Sequence, residues 1–560
     1  MSAQRRTSTR TSRSPVVWAI VLALVLALGG VAWFQLRPRG HAQPATAAPH
    51  ARAAAAPRAG HRAHSGPTLE SLHATRATRP AAALASRHVR VCGNKALLGA
   101  GPTAPPAGAI RVRAGNNSHL NFGRAHGTYW FAPGVHLFGS GRYSQVRPGS
   151  GSTYIGAPGA ILDGRRKNYY AFADSAPNVT ISYLTIQNFG TWGGNFDQGV
   201  VNVDSAPGWT IDHSTIRSNA GAGVMLGSHD TLSYDCLANN QQYGFNAYSP
   251  SGPMSLVLDH NDISGNNSYN WEARKSGCGC TGGGKFWRVH GAVITNNWVH
   301  HNHGVGLWAD TNNRGFDIED NYFQANYDVA LLYEISYNAL IKHNLFVRNA
   351  IGKGATNPGF PTSAIYISES GSDSRVHSKY GSSLQITGNM FINNWSGVIL
   401  WENANRFCGS PDNSSTGVCT LVEPKVANLR TCGRTHLFGA TRTTEPDYYD
   451  LCRWKTQNIS LTGNLFRFQP SKIGHSCTTA RGCGFIGLFS EFGTDPSWSP
   501  YRGKSVEYHI TFGQHNRFSE NTYQGPWRFM ALEQGDIASW QTWRQRFHQD
   551  TNSTLATTAP

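Results

Sequence analysis

Nine segments of this chain share one template. Each opens on an apolar residue: Ile181, Ile211, Leu232, Leu258, Ile294, Ile318, Ile341, Ile386 and Leu461. Five residues later every copy has another: Ile186, Ile216, Leu237, Ile263, Val299, Phe323, Phe346, Phe391 and Phe466. Asn recurs at the third residue after the start (Asn261, Asn297, Asn321, Asn344, Asn389, Asn464). It recurs again at the eighth (Asn219, Asn240, Asn266, Asn302, Asn326, Asn349, Asn394). Starts lie 21 to 75 residues apart, so the short gaps fit one supersecondary unit and the long ones the same unit with loops inserted. Units this small cannot bury their own apolar face and must stack on one another.

Short β-branched strands with Gly and Asn between them leave no room for the amphipathic helices of a TIM barrel or doubly wound sheet. The expected fold is all-β, a right-handed parallel β-helix, with the offset-five column as its inward stripe. Asn tolerates the left-handed backbone, so it suits the corners between strands. Like side chains in register can also bond along the stack. Both Asn columns are therefore assigned to structure and not to chemistry.

The ends differ from the middle. Arg5, Arg6, Arg10 and Arg13 precede an uncharged run from Val16 to Phe34, which as a helix would rise about 28 Å, close to the hydrocarbon thickness of a bilayer. An Arg-rich flank on the N-terminal side predicts a signal anchor with the body outside the cytoplasm. Secretion after cleavage near Ala45-Thr46-Ala47 is the alternative.

The predicted organisation begins with a basic tail at 1–13, a transmembrane anchor at 14–36 and an Ala/Pro/Arg-rich disordered linker at 37–88. An N-terminal cap and first coils follow at 89–170, then the β-helix core at 171–402. A Cys-containing insertion with a late coil occupies 403–500, and a C-terminal coil with an aromatic cap 501–560. Residues 1–88 hold twelve Arg and one Glu, eleven of the seventeen net positive charges. The remaining body is only weakly basic, which does not imply nucleic acid. Ten Cys in an exported chain predict disulfides stapling loops. Cys408/Cys419, Cys432/Cys452 and Cys477/Cys483 lie close in sequence, but the pairing order is not legible there.

The chemistry, if any, belongs to another column. Sixteen residues after Ile294 stands Asp310, and sixteen after Ile318 stands Glu334. Stacked strands lie about 4.8 Å apart, so the two carboxyl groups would stand side by side. Retaining glycosidases need two carboxyl groups about 5 Å apart, one as nucleophile and one as acid/base. Trp287, Trp308, Tyr333 and Trp401 would supply aromatic platforms for sugar rings. Glu402 falls at the same offset from Ile386, and Glu369 in the intervening coil belongs near it. An acidic stripe of that kind could instead be solvated or bind calcium.

Lys285 lies near the same column one coil earlier. A Lys of lowered pKa beside Asp310 outlines a polysaccharide lyase, which removes the proton α to a uronate carboxylate with calcium as cofactor. Arg314 could grip a substrate carboxylate. His300, His301 and His303 flank a column Asn; strand alternation turns neighbours to opposite faces, so no metal site is expected, and His303 is the one placed for a substrate contact.

GLWADTNN, LLYEISYNALIKHNLF and KFWRVHGAVITNNWVHHNHG together resemble exported bacterial right-handed β-helix proteins of the pectate-lyase-like superfamily. They are similar, more distantly, to β-helical retaining glycoside hydrolases of the β-xylosidase type. That resemblance implies Asp310 as nucleophile and Glu334 as acid/base, without a cofactor. The expected partner is a polysaccharide or oligosaccharide, with membrane contact through the N-terminal helix and a monomeric body. A third reading is a carbohydrate-binding surface protein without catalysis.

Overall fold

The computed structural model describes residues 90–193, 201–248, 252–275, 279, 282–357, 359–376, 381–403, 454–491 and 504–560. The anchor expected at 14–36, the linker, and Cys278, Cys280, Cys408, Cys419, Cys432 and Cys452 fall outside them. No helix among the described residues is long and apolar enough to cross a membrane.

The coils build three sheets, of 13, 14 and 10 strands; the first coils supply only the first two, and the third begins at Val224–Leu226. One coil runs His290–Thr295, Trp298–His300, Leu307–Asp310. The next repeats it as Arg314–Glu319, Tyr322–Gln324, Leu331–Glu334. Pairing between coils is parallel and joins equivalent residues: Ile294 to Ile318 to Ile341 in the first sheet, Val299 to Phe323 to Phe346 in the second. This is a parallel β-helix. The template starts and the offset-five residues are buried throughout the main core. Phe323, Phe346, Phe391, Phe466 and Tyr523 stack ring on ring, with centroids 4.8, 4.9, 4.5 and 5.0 Å apart. That spacing is the strand separation itself.

Both Asn columns form hydrogen-bonded ladders inside the corners. Asn261 Nδ2 donates to Asn297 Oδ1 at 2.9 Å, Asn297 to Asn321 at 3.0 Å, and Asn321 to Asn344 at 3.0 Å. The second ladder runs Asn266 to Asn302 at 3.0 Å, then to Asn326 and Asn349 at 2.9 Å each. The side chain also donates to a backbone carbonyl of the preceding coil, as Asn297 does to Leu258 at 2.9 Å. One expectation needs correcting. The left-handed residue at each corner is not the Asn but the residue before it: His260, Asn296, Asp320 and His343 have φ of 56°, 57°, 54° and 55°. Asn is selected for its amide, which can donate and accept along the stack at once.

Two disulfides lie among the described residues. Cys477 pairs with Cys483 within one loop, and Cys92 pairs with Cys236 across 144 residues. The second ties the incoming chain to the second sheet, where Cys92 N–H also donates to Asp262 Oδ2 at 3.0 Å. At the other end Trp527, Trp543 and Phe547 join the main core, with Trp540 packed against it. Trp543 Nε1 donates to the buried Asp550 at 2.7 Å. These rings cover the last coil, where an open sheet edge would otherwise invite pairing.

Candidate functional site

The third sheet carries the site, because its strands expose alternate residues on an outer face. In Gly284–Trp287, Leu307–Asp310 and Leu331–Glu334, Phe286, Leu307, Ala309, Leu331 and Tyr333 point into the main core. Alternation therefore turns Lys285, Trp287, Trp308, Asp310, Leu332 and Glu334 outward. Trp287 is the register partner of Asp310, and Lys285 that of Trp308. Ala309 pairs with Tyr333, so Asp310 and Glu334 follow on neighbouring strands.

Contacts bind these residues into one cluster. Lys285 Nζ lies 2.9 Å from Asp310 Oδ2, both side chains being mostly buried. The same ammonium sits 3.8 Å from the centroid of the Trp308 ring, a cation–π contact. Trp308 Nε1 in turn donates to Glu334 Oε2 at 3.0 Å. Asp310 Oδ1 accepts from the Thr311 hydroxyl at 2.8 Å, and its backbone carbonyl from Asn313 Nδ2 at 2.6 Å. The indole of Trp308 thus bridges the Lys285–Asp310 pair to the second acid. Glu334 is only 3% exposed although it faces outward.

Electrostatics keep Lys285 a cation. Burial pulls its pKa down, but the charges of Asp310, Tyr243 and Glu272 and the hydrogen bond to Asp310 outweigh that, leaving it above the ordinary value. This opposes the lowered pKa that a lysine base requires. The lysine also lies one column away from where sequence spacing placed it. It reaches Asp310 diagonally, and Trp287 holds the position directly beside that acid.

Several expected contacts are not at the site. Tyr333 points inward, fully buried, and its hydroxyl donates to the Tyr337 carbonyl at 3.2 Å; it is a core residue and no platform. Glu402 also points inward. Trp401, and not Glu402, pairs with Ser368, which pairs with Glu334. The coil from Ile386 is one residue shorter at this point, and a one-residue slip moves a strand's side chains to the opposite face. Glu402, 1% exposed, accepts from Thr456 N–H at 3.0 Å and Gln514 Nε2 at 2.5 Å. Glu369 is likewise 1% exposed, and its Oε1 accepts from Asn403 N–H at 2.5 Å.

Trp401 does face outward, two strands beyond Glu334. It packs there with Phe360 and Tyr366 at centroid distances of 5.3 and 5.6 Å. Arg314 lies past the next corner on the first sheet, where it donates to His290 Nδ1 at 2.9 Å. His303 is exposed in the corner before Leu307, with its backbone tied to Asn266 and Asn267. His300 pairs with Asp262 at 3.0 Å on the second sheet. Among the described residues, no group of three or more His, Cys, Asp or Glu could hold a metal ion.

Sequence reasoning missed residues that lie outside the repeat columns. Tyr243 donates to the Gly279 carbonyl at 2.6 Å, and Lys285 Nζ reaches the same carbonyl at 3.4 Å. Glu272, on the short helix Trp271–Arg274, acts electrostatically on both Lys285 and Asp328. Burial raises the pKa of Asp328. Glu272 comes from an insertion, and Tyr243 and Asp328 stand at coil corners where the residue type does not recur.

A family model described as a right handed beta helix region matches residues 198–379. No curated protein matches the chain. Among solved structures, the A-module of Azotobacter vinelandii mannuronan C-5 epimerase AlgE6 aligns at 16% identity with a TM-score of 0.35, covering 54% of this chain and 80% of that one. The A-module of AlgE4 from the same organism aligns at 11% identity and 0.32, covering 85% and 96%. The Agl-KA catalytic domain aligns at 13% and 0.27, covering 53% of this chain and 58% of that one. Likeness at these scores says nothing of activity or substrate. The stretch matched by the family model holds Lys285, Asp310 and Glu334.

Proposed function

We propose that this protein is a carbohydrate-active β-helix enzyme working outside the cytoplasm, a glycoside hydrolase in which Asp310 and Glu334 share the chemistry. The observation that carries the reading is the outward Asp310–Glu334 pair on neighbouring strands, bridged by Trp308 and flanked by Trp287. Neighbouring strands are about 4.8 Å apart, the separation that double displacement through a glycosyl-enzyme uses. Lys285, 2.9 Å from Asp310 Oδ2, orients that carboxylate as the nucleophile. Glu334, 3% exposed and held by the Trp308 indole at 3.0 Å, takes the acid/base role.

The lyase reading is weaker, because Lys285 would have to surrender its proton to act as base while Asp310 holds it at 2.9 Å. A panel of neutral and uronic-acid glycans, read for reducing ends and for the ultraviolet absorbance of unsaturated products, separates the two. Hydrolysis predicts new reducing ends without that absorbance. Asp310→Asn and Glu334→Gln should each lower turnover by about 10²–10⁴-fold while still unfolding cooperatively, Asp310→Asn at a lower midpoint because Lys285 loses its partner. Normal turnover by either variant would sink the reading.

A further inference from the structure

Ahead of the candidate site, three successive corners between the second and third sheets stack into a patch. Arg166 N–H donates to the Asn188 carbonyl at 2.8 Å, Tyr169 N–H to that of Arg142 at 2.8 Å, and Gly190 N–H to that of Asn168 at 2.7 Å. These bonds bring Arg142, Tyr143, Arg165, Arg166, Lys167 and Trp192 together. Tyr143 is 59% and Trp192 61% exposed. Both are held by other rings and cations. The Arg166 guanidinium lies 5.1 Å from the Trp192 centroid, and Arg142 lies 5.6 Å from that of Tyr169, which packs edge-on to Tyr143 at 5.5 Å.

The patch is cationic. Among the described residues, Asp163 is a carboxylate beside it, and its oxygens accept from Arg165 N–H at 2.8 Å, Gln187 at 3.0 Å and Asn188 at 3.1 Å. Arg142, Arg165 and Lys167 are exposed. Exposed rings beside guanidinium groups suit a ligand with alternating apolar faces and anionic groups: the rings take sugar C–H faces, and arginines take planar anions in bidentate fashion.

The patch also leads to the site. Trp192 meets Tyr269 at 6.0 Å, Tyr269 meets Trp271 at 5.7 Å, and Trp271 clusters with Tyr243. Tyr243 and Lys285 share the Gly279 carbonyl. Trp271 and Tyr243 are buried, so these rings join the patch to the Lys285–Asp310 pair beneath the surface.

We propose that this corner is a docking platform for an anionic polysaccharide, whose chain lies across Tyr143 and Trp192 beside Arg142, Arg165 and Lys167. The proposal rests on the carbohydrate reading of the site but is tested by binding alone. Purified full-length protein is run through native gels containing polygalacturonate, a sulfated glucan, neutral xylan or single-stranded DNA. Carboxylated or sulfated glycan should retard it, and xylan should not.

Trp192→Ala, and Arg142→Ala combined with Lys167→Ala, should each weaken that retardation at least fivefold. Arg147→Ala, an exposed arginine 3.8 Å from Asp174, should leave it unchanged. The basic N-terminal segment is common to all these proteins, so its charge cancels in the comparison. Docking is read by retardation and hydrolysis by new reducing ends, so failure of catalysis and failure of docking read out separately. Equal retardation by xylan, DNA retarding the protein as strongly as glycan, or a Trp192→Ala variant that binds like the parent overturns the proposal.

Discussion

At Lys285 two opposed forces meet, and the nearer one wins. Burial alone would drive the ammonium towards neutrality, yet a carboxylate at 2.9 Å and an indole face at 3.8 Å both favour the charged form. His290 shows the reverse. Burial, then the charges of Arg314 and Arg288, depress its pKa to about 4. The Arg314 guanidinium donates to its Nδ1, which must therefore carry no proton. A histidine depressed in the folded state leaves the unfolded chain binding the extra proton as pH falls. Stability from this group is thus present above the unfolded value near 6.5 and lost between there and about 4. The loss should be on the order of 2–3 kcal/mol, and His290→Gln should flatten it. Denaturation midpoints measured from pH 7 to pH 4 check this. An unchanged acid slope in the variant would place the acid sensitivity elsewhere.

At the scale of the element, one rung of an Asn ladder serves three partners. Asn297 accepts from the backbone and side-chain amides of Asn261 and donates to Asn321 and the Leu258 carbonyl. Asn297→Ala should cost about 2–4 kcal/mol, because buried groups on both neighbouring coils lose partners at about 1–3 kcal/mol each. A denaturant midpoint within error of the parent would contradict that role. Register is equally consequential. Coils starting at Ile294 and Ile318 deliver an acid to the outer face after sixteen residues. The coil from Ile386 delivers Trp401 there after fifteen and sends Glu402 inward. Counting along the chain ranked three acids alike. Pairing between strands separates them.

Across the whole molecule, stability is spread along a stack in which each coil touches only its neighbours, so the ends need fastening. The Cys92–Cys236 disulfide fastens the N-terminal end by closing 144 residues. By chain entropy, opening a loop of that length should cost about 5 kcal/mol. Cys92→Ser with Cys236→Ser should lower the unfolding midpoint far more than the same change at Cys477 and Cys483, whose loop spans six residues. Equal effects of the two double variants, measured by thermal unfolding, would mean the long bridge does not constrain the unfolded chain.

The repeat was enough to specify coils, the inward stripe, the Asn ladders and the neighbourhood of Asp310 and Glu334. Each of these follows from identical residues meeting at fixed offsets, which parallel stacking turns into contacts. The sequence by itself could not say that Tyr333 lies inside or that Trp287 stands beside Asp310. Nor could it show that Tyr243 and Glu272 surround Lys285. Those outcomes depend on one-residue differences in corner length and on insertions folding back over the third sheet. Only the tertiary structure decides them, because they join residues with no common period.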